Sequence, residues 1–166
     1  MPQQLGNLVF DRTEFDVAQL QAVTAKLVAG TATAEEKAVF LAGMKGAYNY
    51  TDLNRVGAAV EYLTALLYSL GYNVPTLVVT GWQEGDIQYE EQMAQYLTNI
   101  QELRNRLPYV APDAPTDMLD LTYQEANDIE EILYTLEDVL ETMQAAFLTR
   151  QANTLFMISG GVFNNV

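Results

Sequence analysis

The stretch Leu-Asn-Arg-Val-Gly-Ala-Ala-Val-Glu-Tyr-Leu-Thr-Ala-Leu-Leu-Tyr-Ser-Leu-Gly, from Leu53 to Gly71, decides the fold class. Its apolar residues Leu53, Val56, Val60, Leu63, Leu67 and Leu70 step by three, four, three, four and three, which places them on one stripe of an α-helix. Asn49 or Thr51 caps its start and Gly71 stops it. A stripe this continuous has to be buried against other helices, so the segment is expected in the core of a mainly α protein.

Downstream, Asp86 is placed to cap a fourth helix with an inner face of Tyr89, Met93, Tyr96 or Leu97, Ile100 and Leu103, ending before Pro108. Thr122 with Glu125 forms a capping box that opens the longest helix, roughly Tyr123 to Gln151. There Ile129, Leu133, Leu136, Leu140, Met143 and Phe147 step by four, three, four, three and four, over a length of ~40 Å. Upstream, Thr33 with Glu36 opens a short helix through Val39, Phe40 and Leu41 that ends at Gly43 and Gly46. Thr13 with Asp16 opens the first helix, whose Phe15, Val17, Leu20, Val23 and Leu27 share a face ending at Gly30.

The connections are long. Between Gly71 and Gly85 a loop holds Pro75 and Trp82, with room for a brief strand at Leu77 to Val79. Pro108, Pro112 and Pro115 mark a second loop that wraps across the surface. Leu5 to Phe10 is too short for a helix and reads as an extended arm or short strand, while residues 152–166 are apolar and β-prone around Gly160-Gly161. The expected fold is therefore a helical bundle of four to five helices with short extended or β segments at both termini. It divides into residues 1–151, a helical domain with an N-terminal extended arm, and residues 152–166, a C-terminal apolar tail.

Composition narrows the chemistry. With 166 residues and 49% hydrophobic composition the chain can bury a core without disulfides. It contains no cysteine and no histidine, which removes thiolate nucleophiles, Ser-His-Asp triads, zinc sites and haem ligation. The net charge of −14 repels phosphate backbones and anionic lipid alike, so neither nucleic acid nor a membrane is an expected partner. The first residues lack the basic and apolar pattern of a leader, and no apolar run reaches the ~18 residues of a membrane span. No cofactor and no metal is expected.

Ten acids lie between Leu107 and Thr149, namely Asp113, Asp117, Asp120, Glu125, Asp128, Glu130, Glu131, Glu137, Asp138 and Glu141, with no Lys or Arg among them. A solvated helix face is the plain reading, and a docking surface for a basic partner is the functional one. The three loop aspartates lack the alternating ligands and turn glycine of a calcium loop. The pairs Glu90–Glu91 and Glu130–Glu131 point in different directions on a helix, which argues against a glycosidase dyad. Trp82 could stack on a sugar or anchor an interface, but packing as a loop plug explains it more simply. In the tail, Leu155, Phe156, Met157, Ile158, Val162 and Phe163 need a cover, from a fold-back or from other chains.

Two stretches carry a family resemblance: Asp-Arg-Thr-Glu-Phe-Asp-Val at Asp11 to Val17, and Leu-Ala-Gly-Met-Lys-Gly-Ala-Tyr-Asn-Tyr-Thr-Asp-Leu-Asn-Arg-Val at Leu41 to Val56. With Leu70-Gly71-Tyr72, Trp82 and Leu121-Thr122-Tyr123-Gln124-Glu125-Ala126-Asn127-Asp128-Ile129-Glu130 in the same order, the chain resembles small proteins encoded among the tail and baseplate genes of phages and prophages of Gram-positive bacteria. The resemblance spans nearly the whole length. It implies a virion structural protein, a tail, baseplate or fibre-associated adaptor subunit, made in the bacterial cytoplasm and located in the virion. It implies no catalytic residue. Relatives run on into β-rich exposed modules that these residues do not include, so host-receptor contact is not carried over.

The sequence thus leads to a non-enzymatic subunit whose partners are other virion proteins and copies of itself, as a trimer by the resemblance or a dimer by the same physics. The expected assembly residues are Leu140, Met143 and Phe147 on the long helix with Leu155, Phe156, Ile158, Val162 and Phe163 in the tail. The alternative is a cytoplasmic acidic regulatory or anti-host protein that mimics nucleic acid.

Overall fold

The computed structural model describes residues 4–160, with side chains described as far as Gln151. It contains five helices: α1 (Glu14–Val28), α2 (Ala34–Ala42), α3 (Tyr50–Ser69), α4 (Glu90–Arg106) and α5 (Tyr123–Gly160). Among the described residues there is no strand. The helix starts follow local chemistry. Thr13 and Thr33 each accept the N–H of the acid three residues on, whose carboxylate returns to the cap N–H. Thr122 and Glu125 do the same at α5. Asn49 caps α3, and the Asp52 carboxylate takes the Asn49 N–H at 2.8 Å. The expected cap at Asp86 is not used for α4. Its carboxylate accepts the Gln83 N–H at 2.7 Å in a preceding turn, and α4 starts after Tyr89, which is exposed rather than on the inner face.

The core is made by α3, α4 and α5, which pack on one another. Leu53, Val56, Val60, Leu63 and Leu67 of α3 face Met93, Leu97, Ile100 and Leu103 of α4 and Ile129, Ile132, Leu133, Leu136 and Leu140 of α5. The three helices run in the same direction. At one end the Tyr48 and Tyr96 hydroxyls meet, and at the other the Arg106 guanidinium lies 5.7 Å from the Tyr72 ring centre. Between α3 and α5, Arg55 meets Glu130 and Tyr62 faces Glu137, a constant offset of 75 residues that only a parallel pair produces. Parallel neighbours need long returns, which accounts for the loops of residues 70–89 and 107–122.

Side-chain amides hold these returns. Asn99 of α4 accepts the Leu77 N–H at 3.0 Å and donates to the Leu77 carbonyl at 2.8 Å. Asn54 of α3 accepts the N–H groups of Gly81 and Trp82 and donates to the Trp82 carbonyl at 2.8 Å. An extended chain without a neighbouring strand must satisfy its backbone in another way, and each asparagine amide offers a donor nitrogen and an acceptor oxygen that can take two N–H groups. Trp82 is the buried plug of this loop, its indole N–H donating to the Val79 carbonyl at 3.1 Å.

One expectation holds in part and one changes. Of the face expected on α1, Val17, Leu20, Val23 and Leu27 are half-buried while Phe15 is 69% exposed; α1 and α2 contain no fully buried residue and pack on each other. The two helices form a hairpin that stands on the core rather than in it. The expected β character of the tail is replaced by helix as far as Gly160, because α5 continues its turn through these residues; residues 161–166 lie outside the described residues. The N-terminal arm is non-helical, as expected, but its partner is α5 rather than a strand.

Candidate functional site

Ionisable groups converge where the N-terminal arm crosses α3 and α5. The Arg12 guanidinium lies 2.8 Å from the Asp52 carboxylate and 2.8 Å from that of Glu130. Arg55 donates to both Glu130 oxygens, at 2.9 and 2.8 Å, and pairs with Asp52. Two cations and two anions cancel, which is how a cluster with Glu130 at 0% exposure is tolerated. Burial alone would lower the Arg55 pKa, but hydrogen bonds and attraction from Glu130 and Asp52 raise it above its ordinary value. The Arg12 guanidinium also sits 5.4 Å from the Tyr48 ring centre, a cation–π arrangement.

The same carboxylates tie down the arm's backbone. The Val9 N–H donates to Glu130 at 2.7 Å, and the N–H groups of Gln4 and Leu5 donate to Glu137 at 2.7 and 3.1 Å. Asn127 accepts the Arg12 N–H at 3.0 Å and returns a bond to its carbonyl at 2.9 Å. Between these anchors Leu5 and Leu8 are buried and Phe10 packs on Tyr134, ring centres 4.8 Å apart. Asn127, Glu130 and Glu137 therefore form a polar rail along α5 on which the arm is laid, antiparallel to the helix. The solvated-face reading of the acidic stretch is overturned for Glu130 and Glu137, and Glu131 beside them is exposed. Neither Asp52, Glu130 nor Glu137 has a face left for a substrate.

Three of the five stretches that carry the resemblance contribute here: Arg12 from the first, Tyr48, Asp52 and Arg55 from the second, Asn127 and Glu130 from the last. Gly46 belongs to the same group. A Cβ on it would lie 2.2 Å from the Asp16 carbonyl oxygen, so only glycine lets the α2–α3 connection press against the start of α1. These motifs read as the lock of the fold.

No family model matches the chain, and no curated protein or solved structure matches it. Among the described residues no group of three or more acids is placed to hold a metal ion. No helix of the described residues is long and apolar enough to cross a membrane.

A concavity of about 1010 Å³ opens at the end of the bundle where α3, α4 and α5 begin. Leu20, Tyr48, Leu53, Met93, Met118 and Leu121 make it largely apolar, with Glu90 and Asp117 at its edge. Leu119 on its wall is 82% exposed. Periodicity did not reveal this cleft, since its walls come from five separate segments; only the isolated apolar residue Leu119 in a polar loop hinted at it.

The expected assembly residues divide along α5. Leu140 is fully buried in the chain's own core and is not free to meet a partner, Met143 packs at the core's edge, and Phe147 is 56% exposed beyond it. Leu155, Phe156 and Ile158 lie on the helical continuation of α5, with side chains outside the described residues, and Val162 and Phe163 lie outside those residues altogether.

Proposed function

We propose that this chain is a structural subunit of a phage particle, in the tail, baseplate or fibre region, acting by assembly with other virion proteins and with copies of itself. The observation that carries this reading is the contrast between a core sealed by its own polar lock and apolar surface left open at both ends of the bundle. At one end lies the apolar cleft with Leu119 exposed on its wall; at the other α5 leaves the core with Phe147 and Leu148 exposed. Exposed apolar surface of this kind suits contacts between subunits. The ordered series of stretches that resembles tail and baseplate proteins adds the particle as the place, reached after synthesis in the bacterial cytoplasm. A threefold assembly follows from that resemblance.

The acidic-decoy alternative needs a continuous negative face, and it loses Glu130 and Glu137, which are turned inward. Mass spectrometry of purified particles tests the proposal. The chain is expected at a level comparable to other tail components, and abundance in infected cells with absence from particles would overturn it.

A further inference from the structure

We infer that the apolar cleft at the start of the bundle receives the C-terminal part of α5 from a second copy of this chain, so that copies join head to tail. The inference rests on the assembly reading and names the partner surface it leaves open. Because α3, α4 and α5 are parallel, the molecule has two unlike poles. The cleft lies at the pole formed by Leu53 of α3, Met93 and Ala94 of α4, and the segment Met118 to Leu121 just before α5. At the opposite pole the bundle closes near Leu140, and α5 continues to Gly160, a further ~30 Å.

That continuation carries Leu155, Phe156, Met157 and Ile158, and residues 151–166 contain no charged side chain. Its own cleft is out of reach. From Tyr123 to Leu155 the helix climbs ~48 Å, and Val162 and Phe163 lie only a few residues past its end. A second copy stacked along the bundle axis meets no such limit, since its cleft faces the advancing α5. Size and charge agree with this occupant. About 1010 Å³ accommodates several large apolar side chains. Two chains of charge −14 repel, but residues 151–166 bring no charged side chain, and the negative dipole end of α5 meets the N-terminal, positive ends of α3, α4 and α5 around the cleft. The contact joins unlike surfaces, so it propagates or closes as a ring, whereas packing of identical α5 ends would leave the cleft empty.

Complementary variants test the contact in the full chain. A94E/L119E places two carboxylates in the cleft at exposed positions, leaving the tail intact; F156E/I158E alters the tail, leaving the cleft intact. In sedimentation at tens of micromolar, the unaltered chain is expected above its 18.5 kDa mass and each variant at that mass. An equimolar mixture of the two is expected at twice the chain mass and no higher, because only one junction can form. Circular dichroism confirms that each variant is folded, and V162E/F163E replaces the tail variant if it is not. Self-association of A94E/L119E equal to that of the unaltered chain, or a mixture that stays at the single-chain mass, overturns the inference. An unaltered chain that is monomeric yet present in purified particles overturns the head-to-tail contact and leaves the structural-subunit reading standing.

Discussion

The seam between the N-terminal arm and α5 and the α1–α2 hairpin lie side by side in the sequence, and they are held in opposite ways. The seam is joined across the chain: Arg12 reaches Asp52 and Glu130, 40 and 118 residues away, and every anchor is buried or nearly so. The hairpin is joined to itself, by a Lys26–Glu36 pair, two capping boxes and partly buried contacts between helices without one fully buried side chain. The seam's stability is therefore shared with the whole bundle, whereas the hairpin can open locally at little cost to the rest.

Replacing Glu130 with alanine strips Arg12 and Arg55 of their shared anion and the Val9 N–H of its acceptor. Breaking a buried ion cluster from one side costs about 3–5 kcal/mol, so denaturant unfolding of Glu130→Ala should show a loss of that order. A loss below about 1 kcal/mol would mean that the arm is not part of the cooperative unit.

Gly46 touches both regions. The Cβ of Gly46→Ala meets Asp16 backbone, which cannot turn aside, and over-packing of this kind costs roughly 1–3 kcal/mol. Hydrogen exchange should show α1 losing protection while α3, α4 and α5 keep theirs. Equal loss throughout would make hairpin and core one unit.

The smallest effect is expected within the hairpin. Thr33→Ala removes the α2 cap and should lower amide protection in α2 by about fivefold with no measurable change in Tm. Acid should act on the same turn. The Lys26 hydrogen bond, then that of the Thr33 N–H, holds the Glu36 pKa below its ordinary 4.5. The contribution of Glu36 is thus fully present above pH 4.5 and fades as the pH falls through the lowered value. Hairpin exchange that does not change on lowering the pH from 5 to 3 would remove Glu36 from the account.

The local half of this structure was legible in the sequence. Caps at Thr13, Thr33, Asn49 and Thr122 need only a side chain and an amide two or three residues away, and the stripe from Leu53 to Leu67 needs only helical spacing. The distant half was not. Acidic side chains on a helix read as solvated unless their cations are known, and Arg12 and Arg55 lie 118 and 75 residues from Glu130. A hint was present in the spacing: Glu130 and Glu137 are seven apart, beside Leu133 and Leu140 on the inner side of α5. On the first helix, spacing picks out the inner face, where Val17, Leu20, Val23 and Leu27 are half-buried, but not its depth, and Phe15 stays exposed. The cleft was illegible because parallel topology, not any motif, brings its walls together.

Parallel order also sets the timetable of folding. In an up-and-down bundle each helix meets its neighbour across a short turn, whereas here α3 waits for α4 across a 20-residue return and the arm waits for α5, more than a hundred residues away. Contacts so distant along the chain slow folding relative to other helical proteins of this size. On the ribosome the arm is made more than a hundred residues before its rail, so Arg12 has no anion from α5 until Glu130 has left the exit tunnel. An early stretch is thus among the last to find its place, and the bundle closes only once the helix that carries the tail exists.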